Sequence, residues 1–182
     1  MRLAIDTSGA EQAMVVLDGH RLLAAEDWVR SRDDAPVLAR LDALVKRAGG
    51  RPDDLDGVAA ARGPGSFTGL RVGLSLAAGL AYARHVPLHL VDSLLILARR
   101  ATGDAATVAL RDAGRSEVYA WRAGEPARRM PTDELAPWLP SSARIIVEPA
   151  GMLATWSSGH AHLEIPPAGR RPLSAALLDS AI

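Results

Sequence analysis

The hydrophobic positions of this chain repeat with two different periods, which predicts strands and helices that follow one another as in an α/β protein. Short apolar runs before and after Asp18-Gly19 predict an antiparallel hairpin, because this dipeptide favours a tight turn. Apolar residues spaced three and four apart then predict a helix that Asp33 or Asp34 caps and that Gly49-Gly50 ends. The expected elements of the first half are strands at 3–7, 13–17, 22–29, 55–61 and 87–91 and helices at 33–48, from about 68 to 84, and at 93–100.

The second half has a weaker pattern that contains an internal repeat. Leu3–Asp6 and Ala109–Asp112 are both apolar strands that end in aspartate, and a polar turn with glycine and a returning strand follows each of them. Two readings are open: a duplicated domain with equivalent acids at two strand ends, or the ordinary preference of aspartate for turns. We expect one lobe at residues 1–100 and a second at 101–182, the second with strands at 108–112, 118–121 and 144–147, at most one short helix at 126–140, a helical turn at 151–156 and a terminal helix at 173–182.

A glycine-rich loop, Gly63-Pro64-Gly65-Ser66-Phe67-Thr68-Gly69, separates a predicted strand from the longest predicted helix. Its glycine spacing differs from the dinucleotide-binding G-x-G-x-x-G pattern, and it lacks the lysine of a P-loop. Its serine lies one position too early for a nucleophile elbow. The loop is therefore either a tight strand-to-helix turn, in which glycine allows close packing, or a backbone anion site.

The helix after this loop is apolar on more than one side. One face contains Leu70, Leu74, Ala77 and Ala81, another contains Val72, Leu76, Leu80 and Ala83, and flat patches occur at Gly69, Gly73 and Gly79. A sheet covers only one face of a helix, so a second apolar face needs a second cover. We expect another subunit to supply it, and the alternative is a helix buried centrally within a single domain.

The composition is that of a globular protein without global charge: 48% of the 182 residues are hydrophobic, 23% are charged, and 21 basic residues balance 21 acidic ones. A neutral chain has no overall field that attracts nucleic acid or an anionic membrane, although a local basic patch stays open. The absence of cysteine excludes disulfides, thiolate metal sites and a cysteine nucleophile. Asp6 interrupts the first apolar run and no run is long enough to span a bilayer, so we expect a cytoplasmic protein with no membrane contact.

Candidates for metal or acid–base chemistry are few. The five histidines form no recognised metal motif, so we expect no metal site. Asp6, Thr7, Ser8 and Asp112 have side chains that can hold a magnesium–nucleotide by hydrogen bonds and through water. The alternative is that these four residues cap turns.

Three segments of the chain resemble one known family. They are Leu3–Ser8, Arg62–Gly73 and Asp112–Tyr119, and they are similar to the TsaB (YeaZ) family of bacterial tRNA threonylcarbamoyladenosine biosynthesis proteins, historically called glycoprotease-like. The resemblance covers residues 1 to about 123 and implies the actin-like fold of Hsp70 and sugar-kinase ATPases, with two related lobes of mixed sheets. The second lobe is expected to be shortened, because family members have a Tyr-Leu-Arg segment near the end that this chain lacks.

The resemblance also implies a subunit that is not itself the catalyst. In this family the transferase site and its metal-binding histidines belong to the partner TsaD, and the matching residues 35–48 contain no histidine. Family members pair with TsaD, or with a second copy in isolation, through their first two helices. The complex with the ATPase TsaE transfers threonylcarbamoyl to the adenosine beside the anticodon of tRNA. The expected contact residues are Val37, Leu38, Leu41, Leu44, Gly69, Leu70, Gly73, Leu74, Ala77 and Ala81. We expect no cofactor of the subunit itself, with the complex interface as the place for ATP and magnesium, and tRNA contact only through the complex.

Two other functions fit parts of the sequence. A phosphotransferase of the same fold would use Asp6 and Asp112 at a nucleotide. A peptidase would match the historical family name, but no nucleophile–base pair or zinc motif supports it. Nucleotide binding and protein cleavage by the isolated chain are the observations that distinguish these functions from that of a non-catalytic subunit.

Overall fold

The computed structural model describes residues 1–33, 35–101, 107–140, 143–148, 163–164 and 171–181 and divides the chain into two compact units. The first unit comprises Met1–Ser93 with Pro172–Ile182, and the second comprises Leu94–Arg171. The strands are β1 (Arg2–Asp6), β2 (Glu11–Asp18), β3 (Arg21–Val29), β4 (Gly57–Ala61), β5 (Leu88–Val91), β6 (Thr107–Gly114), β7 (Glu117–Arg122), β8 (Arg128–Pro131), β9 (Arg144–Glu148) and β10 (Leu163–Glu164). The helices are α1 (Val37–Arg47), α2 (Phe67–Arg84), α3 (Ser93–Ala98), α4 (Leu135–Trp138) and α5 (Leu173–Ala181), with 3₁₀ turns at Pro52–Asp54 and Thr132–Glu134.

The two units repeat one sheet topology. In the first sheet the strand order is β3-β2-β1-β4-β5, and in the second it is β10-β9-β6-β7-β8, which is the same order read from the other edge. The first strand of each sheet pairs antiparallel with the second and parallel with the fourth, as β1 does with β2 and β4 and as β6 does with β7 and β9. The prediction of a duplicated, actin-like α/β fold with two mixed sheets is confirmed.

The core of the first unit lies between its sheet and the helices α1 and α2. Leu3 and Ile5 on β1 are fully buried there, and Leu44 and Val45 of α1 pack on the same cluster. Leu3 and Ile5 are two positions apart on the strand. Leu44 and Val45 lie three and four positions after the buried Leu41, so these side chains lie on one face of each element. The sequence pattern therefore predicts which faces of β1 and α1 pack together.

The other face of this sheet is covered by the last helix. Helix α5 packs mainly on β2, and its Leu177 is fully buried. Asp27 of β3 caps the start of α5, because one carboxylate oxygen accepts the Ser174 backbone N–H at 2.7 Å and the other accepts the Ser174 hydroxyl. The sequence placed residues 101–182 in the second lobe, whereas the structure returns α5 to the first unit. A parallel pair such as β1 and β4 needs cover on both faces, which explains this placement.

Other elements differ in detail from the sequence predictions. Helix α1 begins after Pro36, which makes no side-chain cap hydrogen bond, so the prediction of a cap at Asp33 or Asp34 is wrong. The proline-rich stretch contains β8, which pairs with β7 and which the proline pattern concealed. The helical turn predicted at 151–156 lies outside the described residues. Within the described ranges, no helix has both the length and the apolar character needed to cross a membrane.

Candidate functional site

The glycine-rich loop joins β4 to α2 as a tightly bonded turn. The Gly63 N–H donates to the Ser93 hydroxyl at 3.0 Å, and the Ser93 N–H donates back to the Gly63 carbonyl at 2.9 Å. Ser66 caps α2, because its hydroxyl accepts the Gly69 N–H at 3.2 Å, and its own N–H donates to the Ser8 carbonyl at 2.7 Å. These contacts are those of the strand-to-helix turn, one of the two readings of the sequence.

The turn after β1 holds α2 in place. Asp6, Thr7 and Ser8 are at most 2% exposed. The Thr7 hydroxyl donates to the Gly69 carbonyl at 2.8 Å, and an Asp6 carboxylate oxygen accepts the Ser8 N–H at 2.8 Å. In the second unit the Asp112 carboxylate similarly accepts the Gly114 N–H at 2.7 Å. Asp6, which is buried, and Asp112, which is exposed, therefore each accept a backbone N–H from two residues further along the chain, and these contacts are those of turn caps.

Two glycines on α2 allow the helix to lie directly against this turn. A Cβ on Gly69 would overlap the Thr7 carbonyl oxygen, and a Cβ on Gly73 would overlap the Thr7 hydroxyl. Ala77 and Ala81 continue the same buried face along β1 and β4. These four residues were predicted to contact a partner, and the structure corrects that prediction, because all four are buried against the chain's own sheet and the turn after β1.

The predicted contact residues on α1 are divided between core and surface. Leu41 and Leu44 are buried in the core of the first unit and so cannot meet a partner, which corrects that part of the prediction. Leu38 is 60% exposed and is available to a partner. The remaining predicted contacts are half-buried at Val37, Leu70 and Leu74.

Helices α1 and α2 nevertheless leave large apolar side chains in solvent. The exposed fractions are 60% for Leu38, 74% for Phe67, 42% for Val72 and 84% for Tyr82. We call these four residues the exposed apolar face. Gly79 lies between the last two along α2, and a Cβ there would meet nothing within 4 Å. The sequence pattern predicts that α2 is apolar on two sides. The contact residues predicted on α2 belong to the side that packs on the sheet, and they do not include the exposed Phe67 and Tyr82.

An open groove of about 270 Å³ adjoins this face. Its walls include Gln12 of β2, Trp28 of β3, Val37 of α1 and Thr68 and Val72 of α2. The groove therefore lies between the two helices that carry the exposed apolar face, and its lining includes Val72 itself.

A charge network fixes α1 on β3. The Glu26 carboxylate accepts from Arg40 at 2.6 Å and from Arg47 at 2.8 Å, and the Arg40 guanidinium lies 5.0 Å from the centre of the Trp28 ring. Burial alone would raise the pKa of the Glu26 carboxyl, but the hydrogen bonds and charges of Arg47 and Arg40 outweigh it and hold the pKa below its usual range.

Substitution of Glu26 by glutamine should cost about 1 kcal/mol of stability at pH 7. Because the folded pKa is depressed, the ionised carboxylate stabilises the fold above the unfolded pKa, which is about 4.3, and the contribution is lost as pH falls through the folded value. Urea denaturation from pH 7 to pH 3 should show the difference between the wild type and Glu26→Gln shrinking with acidity. A difference that stays constant would contradict this role for the charge.

In the described part of the chain, no three histidine, aspartate or glutamate side chains lie together as a metal site would require. The feature that stands out in the first unit is therefore a surface: the exposed apolar face with its groove.

The chain is similar to proteins of the threonylcarbamoyladenosine pathway of tRNA. The sequence model of one protein family, TsaD, tRNA N6-adenosine threonylcarbamoyltransferase, matches residues 36–137. An uncharacterized protein of Mycobacterium leprae is 40% identical over an alignment of 148 residues that covers 72% of this chain and 39% of that protein. The tRNA threonylcarbamoyladenosine biosynthesis protein TsaB of Bacillus subtilis is 31% identical over 119 residues, which are 64% of this chain and 52% of that protein. The chain thus spans about half the length, or less, of these curated relatives.

Solved structures resemble the whole chain. YeaZ from Pseudomonas aeruginosa superposes with a TM-score of 0.81 and 26% sequence identity, covering 99% of this chain and 90% of that one. A second structure from Pseudomonas aeruginosa, described as an uncharacterized protein with similarity to peptidase YeaZ, gives a TM-score of 0.82 at the same 26% identity.

Proposed function

Because the chain belongs to the TsaB (YeaZ) family, within the wider TsaD family, we propose that it is a non-catalytic partner subunit of TsaD in the biosynthesis of threonylcarbamoyladenosine in tRNA. The observation that supports this proposal is the exposed apolar face on α1 and α2. A protein without a partner rarely leaves several large apolar side chains exposed on neighbouring helices, and such surfaces mark interaction sites.

The composition of the exposed apolar face fits a helical partner. Phe67 and Tyr82 are aromatic side chains that each bury about 150–250 Å² in a contact, and aromatic residues are frequent binding hot spots. Gly79, with open space above it, lets the partner's backbone or a large side chain approach α2 closely. The same face pairs two copies of the chain when TsaD is absent, since a twofold contact between identical faces buries the same side chains.

The proposal that the chain is not a catalyst is supported by hydrogen bonds that are observed in the first unit. Asp6, one of the two acids that a phosphotransferase of this fold would use at a nucleotide, is buried and accepts the Ser8 N–H. The neighbouring Thr7 is also buried, and its hydroxyl donates to the Gly69 carbonyl, which helps to hold the helix that carries Phe67, Val72 and Tyr82. ATP hydrolysis by the isolated chain would contradict this assignment.

Substitution of Val72 by glutamate should weaken the complex with TsaD about 100-fold, because a charge in a desolvated contact loses its water without gaining a partner. Affinity is measured by calorimetry or biolayer interferometry with purified TsaD. The matched control is Leu22→Glu, since Leu22 on β3 is 43% exposed and Val72 is 42% exposed, but Leu22 lies outside α1 and α2. Leu74→Glu is a poorer test, because Leu74 packs against the core and its change would also affect folding.

The control variant should bind TsaD as the wild type does. Equal loss in both variants would indicate a general effect of the charge, and no loss in either would contradict the assignment of the face. Light scattering of the isolated chain tests the homodimer in the same way: wild type and Leu22→Glu should be dimeric, and Val72→Glu should be monomeric.

A further inference from the structure

Three arginines of the first unit lie around the start of α2. Arg30 follows β3, and its guanidinium donates to the Ser66 hydroxyl at 3.3 Å. Arg62 directly follows β4 at the entrance of the glycine-rich loop, and its backbone N–H donates to the Val91 carbonyl. Arg71 is on the second turn of α2, and its guanidinium lies 5.4 Å from the centre of the Phe67 ring. All three arginines are exposed, and we call them the arginine cluster.

The arginine cluster has no carboxylate partner. Within the ranges that the structure describes, Arg30, Arg62 and Arg71 form no ion pair. Cations elsewhere on α1 and α2 are paired, each with an acid of the same unit. These pairs are Arg40 and Arg47 with Glu26, Lys46 with Asp42, and Arg84 with Asp53. The cluster is therefore a local positive surface on a chain whose net charge is zero.

We propose that the arginine cluster contacts the phosphate backbone of RNA, with tRNA as the RNA of the proposed function on which this inference rests. The guanidinium group matches phosphate geometry with two parallel N–H donors and stays charged at all physiological pH values. Backbone phosphates are the groups that arginines contact in sequence-independent RNA binding. The sequence predicts tRNA contact only through the complex, whereas the cluster gives this subunit a contact of its own.

The arginines are held by rigid parts of the fold. Arg30 is bonded to the cap residue of α2, Arg71 stacks on a ring of the same helix, and Arg62 adjoins Gly63, which is fixed by two hydrogen bonds to Ser93. A cation whose backbone and side chain are already positioned loses less conformational entropy when it binds. Arg30 follows β3, Arg62 follows β4 and Arg71 is on α2, so the three residues are placed around the glycine-rich loop.

Binding of the full-length chain to a labelled tRNA, measured by fluorescence anisotropy from 50 to 200 mM salt, tests the proposal. The double variant Arg62→Gln/Arg71→Gln should raise Kd about tenfold at the lowest salt and reduce the slope of log K against log salt by about one to two, because each lost phosphate contact removes about 0.7–0.9. The matched control is Arg21→Gln/Arg51→Gln, which removes the same charge from exposed arginines outside the cluster and should bind as the wild type does.

An equal loss of affinity in both double variants would overturn the proposal, because it would show a general effect of charge. Unchanged binding in the cluster variant, or no measurable tRNA binding by the wild-type chain at 50 mM salt, would overturn it as well.

The affinity of each variant for TsaD is measured in parallel. A cluster variant that loses TsaD but keeps tRNA assigns the arginines to a protein partner and contradicts the RNA contact. If Val72→Glu does not weaken the TsaD complex, that result contradicts the proposed function. It does not bear on the RNA contact, which the tRNA binding of the cluster variant tests separately.

Discussion

Replacement of Gly69 by alanine should destabilise the first unit by about 3 kcal/mol. The added methyl group would overlap the carbonyl oxygen of Thr7, which is backbone and cannot rotate away, so α2 must shift from β1. Overpacking of this kind costs about 1–3 kcal/mol, and the shift also weakens the buried hydrogen bond from the Thr7 hydroxyl to the Gly69 carbonyl, which adds about 1 kcal/mol. Urea denaturation followed by circular dichroism measures the change.

Gly79→Ala on the same helix is the control for this prediction. Nothing lies within 4 Å of a Cβ at Gly79, so the substitution should only increase helix propensity and stabilise the protein by up to about 1 kcal/mol. The two substitutions are chemically identical and should have opposite signs. If Gly69→Ala were as stable as the wild type, the close seating of α2 on the β1 turn would be refuted.

Replacement of Leu177 by alanine should cost the first unit about 3 kcal/mol, because a fully buried leucine leaves a cavity when it is truncated. The loss should appear in hydrogen exchange as weaker protection of β2, the strand on which α5 packs most extensively. Strands β6 and β7 belong to the second unit and should keep their protection. This result would show that α5 stabilises the first sheet although the sequence suggested that it ends the second lobe.

Leu178→Ala provides the comparison, since Leu178 is only half-buried and its truncation should cost less than about 1 kcal/mol. Asp27→Ala should give an intermediate loss of about 1 kcal/mol, because it removes the cap of α5 without creating a cavity. Equal effects of Leu177→Ala and Leu178→Ala would contradict the orientation of α5 described here.

The sequence predicts the parts of this fold that depend on local pattern. The repeat of an apolar strand, an acid and a returning strand gave duplication as one of two interpretations, and the structure has two sheets of the same topology. A strand-to-helix turn was likewise one of two interpretations of the glycine-rich loop, in which Ser66 caps α2. Strand β8 was missed because Pro126 and Pro131 hide an edge strand, where proline is tolerated. The position of α5 was missed because nothing local in its sequence records which sheet it covers.

The candidate site was predicted less well, for a physical reason. A helix that is apolar all round, such as α2, has no polar stripe to show which side faces its own sheet. The glycines at positions 69 and 73 indicated that another part of a protein comes close to α2, but a sequence cannot say whether that part belongs to the same chain. Only the packing on β1 leaves Phe67 and Tyr82 as the residues available to a partner.

The open space above Gly79 has a consequence for the evolution of the contact proposed above. Because glycine has no side chain, the surface of α2 has room at this position for a bulky side chain of the partner. A bulky residue at position 79 itself would clash with that side chain. Lineages that enlarge residue 79 would have to shrink the opposing group at the same time, and this one position could keep related complexes in a cell from exchanging their subunits.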